Sequence, residues 1–155
     1  MTPDSYACAL LGELGFEATL LPIPDTRKDS LLWAASGAQY LTGDPDGPPL
    51  PCPAPLASCA RGAWLALAAL GQGALDPQFP AHQLLGERAA ILGLQRRGAV
   101  SAGGACRLLD CADGQLALNL ARNDDWQLLP AWLECPADSW EAVTLALLNR
   151  SCASM

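Results

Sequence analysis

Between Asp44 and Pro55 the chain reads DPDGPPLPCPAP, six prolines and one glycine in twelve residues. Proline fixes φ and removes the amide hydrogen, so neither a helix nor a strand can run through this stretch. The next segment is its opposite. Leu56–Leu70, LASCARGAWLALAAL, places Ala60, Ala63, Trp64, Leu65, Leu67, Ala68 and Leu70 so that almost no polar face remains. A helix apolar on all sides is a buried helix, and Ser58 reads as its N-cap. On the other side of the prolines, Asp29–Gly43 reads as a helix with Ser30 at its N-cap and Gly43 as the residue that closes it. Helix, proline-rich excursion and buried helix form the centre around which the remaining elements must pack.

Upstream, Pro3–Leu14 is amphipathic, with Asp4 or Ser5 at its start, Ala7, Leu10, Leu11 and Leu14 on one face, and Gly15 as a stop. Glu17–Ile23, EATLLPI, reads as a short strand, and helix, glycine and strand in succession suggest a fragment of an α/β unit. Downstream of Leu70, GQGALDPQFPAHQ has the composition of a linker. Pro80 then opens a helix carrying Leu84, Leu85, Ala89, Ile91 and Leu92 and ending at Gly93. His82 falls in its first turn, where a histidine is expected to be exposed. Two strands, Ala105–Leu109 and Gln115–Leu120, flank an Asp110–Gly114 loop that reads as a hairpin. Asn123 or Asp124 caps the next helix, which Pro130 is expected to kink or end early. A last helix spans Ser139–Asn149, with Asp138 and Glu141 in a capping-box arrangement.

Composition excludes several functions. Of 155 residues, 51% are apolar and 16% charged, which is globular rather than disordered and leaves a surface short of charge, as a large partner interface would. A net charge of −7, with Arg27-Lys28 and Arg96-Arg97 as the basic clusters, argues against nucleic acid, whose phosphates demand grouped cations. No apolar run approaches the roughly 18 residues of a membrane span, and no basic-then-apolar leader opens the chain. A cytoplasmic location is the resulting expectation. Seven cysteines and the single His82 match no zinc spacing and include no CxxC pair, so no metal site is expected; the thiols read as reduced, small apolar residues.

Two stretches, taken in order, resemble the family III CoA-transferases, which include formyl-CoA and carnitine CoA-transferases and 2-methylacyl-CoA racemases. The first is Ser36, Gly37, Thr42, Gly43, Gly47, Pro48, Pro49 and Gly62 leading into the Ala/Leu-rich helix. The second is the strand, Ala112-Asp113-Gly114 turn, strand and Asn123-Asp124 helix. ALLGELGFEATLLPI is similar to the family's first helix and second strand. The resemblance implies an α/β protein holding part of that fold. Residues 1–98 would be an incomplete, Rossmann-like large-domain piece, and 99–155 the start of a small α+β domain. It also implies acyl-CoA thioesters as substrates, no cofactor beyond that coenzyme A thioester, and a second chain or homodimer as partner, the family being known for interlocked dimers.

Site residues come from the same resemblance. The family's acyl-accepting aspartate falls, by count from Gly62, on Ser58, and no carboxylate stands between Asp46 and Asp76. Where family members carry charged residues against the CoA phosphates, this chain has Pro22, Ile23 and Pro24, with Arg27 and Lys28 a little later. Arg27 is the CoA-proximal candidate, and a solvated loop is the favoured reading of it. Gly103 and Gly104 lie where a glycine-rich loop covers the active site in formyl-CoA transferases; a tight turn into the strand is the other reading. The chain is then either part of a CoA-transferase whose nucleophile comes from elsewhere, or a non-catalytic, structural or CoA-binding half of an interlocked assembly.

Overall fold

The computed structural model describes residues 1–17 and 21–154. The chain divides into two compact units, Met1–Gln95 and Arg96–Met155. Mixed helix and sheet is the observed class, and the sheet among the described residues is a single antiparallel pair.

In the first unit, α1 (Pro3–Glu13) starts at Thr2, whose hydroxyl accepts from the Ser5 amide while Ser5 Oγ accepts from Thr2 N. The cap therefore lies two or three residues before the expected Asp4 or Ser5. Ala7 and Leu11 of α1 bury themselves against Leu65 and Ala66 of α3 (Leu56–Leu70). The two backbones meet at Gly62, where an added Cβ would stand 2.5 Å from the Pro3 carbonyl oxygen. Leu21 and Ile23 pack on the same core. The expected strand Glu17–Ile23 falls partly outside the described residues, and its described end, Leu21–Ile23, is not strand.

The helix expected from Ser30 to Gly43 is shorter and begins earlier. α2 is Asp29–Ala35, with Lys28 at the N-cap, and a 3₁₀ turn follows over Ala38–Leu41. The break comes at Ser36, whose hydroxyl donates to Trp33 O at 2.7 Å and accepts from Ala38 N at 3.1 Å, a local competitor to helix continuation. Gly43, with φ of 99°, turns the chain into the proline-rich segment, and a Cβ there would strike Pro48 O at 2.7 Å. Trp33 reaches across to donate from Nε1 to Leu50 O at 3.3 Å, pinning that segment to α2. Leu32, Trp33, Ala38 and Ala57 close a second small core. Beyond the linker, a 3₁₀ turn (Ala81–Gln83) runs into α4 (Leu84–Ile91), much as Pro80 and Gly93 suggest. Its Gly86 allows close approach to the Ser36–Ala38 backbone.

The second unit is built on a hairpin, β1 (Cys106–Cys111) with β2 (Gly114–Asn119). Its loop is Ala112-Asp113, three residues shorter than the five-residue loop expected, because Asp110 pairs with Gln115 and Cys111 with Gly114. α5 (Asn123–Leu133) takes Arg122 as N-cap, whose amide donates to Asp125 Oδ2 at 2.8 Å. Pro130 does not end α5; the helix runs on to Leu133. α6 (Trp140–Leu147) is capped by Ser139, whose hydroxyl accepts from Ala142 N, rather than by an Asp138–Glu141 box. Leu109, Leu120, Leu129, Leu133, Val143 and Leu147 form its core, and Arg107 stacks 4.5 Å over the Trp140 ring.

Candidate functional site

The densest chemistry in the first unit is a buried ion network that joins three separate segments. Arg61 is the one charged residue of α3, and a cation on an otherwise apolar helix must find a counter-charge or stay out of the core. Its side chain is 3% exposed, and its Nε donates to Asp25 Oδ2 at 2.9 Å, Asp25 being 5% exposed. The other two nitrogens donate to Phe79 O and Pro77 O, at 3.1 and 2.8 Å. Asp25 also receives Arg27, Nε to Oδ1 at 2.9 Å and Nη2 to Oδ2 at 2.6 Å. Its backbone is tied to the start of α1 by Asp4 N to Asp25 O and by Asp25 N to Asp4 Oδ1. Hydrogen bonding by Arg27 holds the Asp25 carboxyl down at about 2, with Arg61 adding to the effect and burial opposing it.

His82 joins this cluster, and its placement corrects the expectation of an exposed first-turn residue. It is 3% exposed, and its Nδ1 is buried without a hydrogen-bond partner among the described residues. The linker folds back, so that the 3₁₀ turn carrying His82 packs on α3. Burial pushes the imidazole below its ordinary pKa of 6.5, and the charges of Arg27 and Arg61 push the same way, against Asp25.

Ser58 is not the cap of α3. The helix starts at Leu56 after Pro55, so Ser58 sits inside the first turn. Its amide is capped instead by a carboxylate from another element, Asp29 Oδ1, at 2.8 Å. The Ser58 hydroxyl is fully buried and has no hydrogen-bond partner among the described residues. An alcohol acts as a nucleophile only when a base within hydrogen-bond reach takes its proton. Ser58 has no such neighbour among the described residues. Because its Oγ is desolvated without compensation, Ser58→Ala is expected to leave stability unchanged or raise it by about 1 kcal/mol. A urea titration showing a clear loss of stability would mean the hydroxyl has a partner in solution.

Asp29 also lines a cleft of about 370 Å³, together with Trp33, Gln39, Leu50, Pro51 and Cys52. This carboxylate at the N-terminal end of α3 is not legible in the sequence, because it is 29 residues from the amide it caps. Arg27 is half-exposed, but its guanidinium is engaged by Asp25 rather than held open for a phosphate. Arg27 and Ser58 are thus connected through Asp25, Arg61 and one turn of α3. Gly103 and Gly104 belong to the second unit, in the turn that precedes β1. Gly104 has φ of 83°, and a Cβ there would meet Arg97 Nη1 at 3.1 Å, whereas Gly103 has nothing within 4 Å of that position. Among the described residues no cluster of three or more potential ligands could hold a metal ion, and no helix is long and apolar enough to cross a membrane. No family model, curated protein or solved structure matches this chain.

Proposed function

We propose that this chain is the non-catalytic half of a CoA-transferase-type assembly acting on acyl-CoA thioesters, related to family III. In this reading it supplies framework and a partner surface, and the acyl-accepting carboxylate comes from a second chain or copy. The observation that carries it is the state of Ser58. At the place the resemblance gives to the nucleophile stands a hydroxyl that is wholly enclosed and, among the described residues, without a base. The motif residues lend support as structural requirements: Gly43 at positive φ, and Gly62 and Gly86 at backbone crossings, with Gly86 seated on the Ser36-Gly37 pair. Leu31, Tyr40 and Ile91, each more than 60% exposed, are apolar surface of the kind a partner would cover.

Calorimetric titration of coenzyme A and acetyl-CoA into the purified chain, with its mass in solution measured alongside, tests the reading. The expected result is self-association or a requirement for a partner chain, with no acyl group transferred to the protein. An acyl adduct on Ser58 in the intact mass would overturn the non-catalytic assignment. A monomer that binds neither ligand, and takes up neither with any transferase partner, would overturn the relation to CoA chemistry.

A further inference from the structure

The loop of the hairpin and the segment after α6 bring two cysteines together. Cys111 ends β1, and its cross-strand partner is Gly114. After α6 the chain returns to this loop and is stitched to it. Ala112 N donates to Arg150 O at 2.9 Å, Cys152 N donates to Asp113 Oδ1 at 2.7 Å, and Ser151 Oγ donates to Asp113 Oδ2. Arg150 itself donates to Leu133 O at the end of α5, which fixes where the returning segment begins. Cys152 Sγ then lies 3.8 Å from the position a Cβ on Gly114 would occupy. The Cys152 thiol is thus in van der Waals reach of the Gly114 side of the pair, over the end of the hairpin where Cys111 stands opposite Gly114. Both cysteines are free and partly exposed, so a small oxidant can reach them.

We propose that Cys111 and Cys152 are a redox modification site, forming a reversible intrachain disulfide that clamps the 150–154 segment onto the hairpin loop. The oxidant is a peroxide. The Cys111 sulfur attacks one oxygen of hydrogen peroxide and the O–O bond breaks. Cys111 becomes a sulfenic acid, and the other oxygen leaves as water with the thiol proton. The Cys152 sulfur then displaces that hydroxyl, which leaves as a second water with the Cys152 proton. Two thiols and one peroxide thus become one disulfide and two waters, and a small-molecule thiol reverses the bond by exchange. Hydrogen bonding with Cys111, burial and the charges of Cys111 and Asp113 raise the Cys152 thiol to about 11. The same disulfide results whichever of the two sulfurs is oxidised first.

The site does not depend on the CoA reading, and its test is separate. The intact chain is treated with hydrogen peroxide, remaining thiols are blocked with a maleimide, and non-reduced peptides are mapped by mass. The expected product is one Cys111–Cys152 cross-linked peptide per chain, with the other five thiols labelled and the bond reversed by dithiothreitol. The clamped form should melt roughly 10 °C higher and show slowed exchange at the Ala112 and Cys152 amides. Cys111→Ser and Cys152→Ser, checked for native circular dichroism, should each abolish the cross-link. A bond between other cysteines or between two chains would overturn the proposal, as would labelling of Cys111 and Cys152 at the same rate with and without peroxide. The wild-type mapping stands even where a variant fails to fold.

Discussion

Asp25→Ala is expected to destabilise the first unit by about 3–5 kcal/mol, because it strands the Arg61 guanidinium inside the core. Arg61 remains bonded to the Phe79 and Pro77 carbonyls, but these dipoles cannot replace a full counter-charge at 3% exposure. The contrast to make is Arg27→Ala. Arg27 does most to hold the Asp25 proton affinity down, yet its own side chain is 49% exposed, so its loss should cost no more than about 1 kcal/mol. Urea unfolding of the two variants decides it: equal losses would mean that Arg61 is not desolvated as the structure shows.

The same network sets the acid response. Asp25 titrates at about 2 in the folded chain against an ordinary 3.8, so the unfolded chain takes up this proton first as pH falls. Its contribution, about 2 kcal/mol, is complete above the unfolded value and is lost as pH falls from about 4 towards 2. His82 acts earlier in the same direction. Its folded pKa lies below 6.5, so protonation favours the unfolded chain once pH drops under that value. Stability measured by urea should therefore decline in two stages on acidification, and His82→Gln should remove the first stage while leaving the second. A single loss confined to the carboxylate range would show that the imidazole is solvated.

Gly62→Ala is expected to cost about 3 kcal/mol, although alanine is the better helix former. The added methyl would meet Pro3 O at 2.5 Å, Tyr6 Cβ at 3.1 Å and Ala7 N at 3.2 Å. Two of these three are backbone atoms of α1, which cannot rotate away, so the helices must separate and the Leu11–Leu65 contact loosens. Gly12 supplies the internal reference. It lies in α1 with nothing within 4 Å of its Cβ position, so Gly12→Ala should stabilise by roughly 0.5–1 kcal/mol. Melting curves moving in opposite directions for the two substitutions would establish the crossing. Movement in the same direction would place α1 elsewhere.

The legible parts of the fold are those written in local pattern. The apolar run Leu56–Leu70 announces a helix, though not one buried all round: Ala57, Leu65, Ala66 and Ala68 are buried, whereas Leu56, Ala63 and Leu67 stand exposed. An Asp-Gly pair between two apolar runs announces the hairpin. Caps are less legible, since a serine near a helix start looks the same whether it caps or not. Ser58 is internal to its helix because Asp29 and Pro55 define the start instead. The site is the least legible. Asp25 and Arg61 are 36 residues apart, and nothing local marks the pair except that a lone arginine interrupts an apolar helix. His82 escapes a sequence reading for the same reason: its burial depends on the linker turning back, which composition does not encode. The Cys111–Cys152 proximity likewise needs the chain's return after α6.

The proline-rich wall of the cleft carries a consequence for recognition. Pro49 and Pro51 have no amide hydrogen, and Leu50 spends its own on Thr42 O at 3.3 Å. That edge has few amide hydrogens to donate, and its Leu50 carbonyl is engaged as well, by Trp33 Nε1 at 3.3 Å and Thr42 Oγ1 at 2.9 Å. The wall therefore spends its polar groups on α2 and Thr42, and its ring closures leave the backbone little freedom to lose when the cleft is filled.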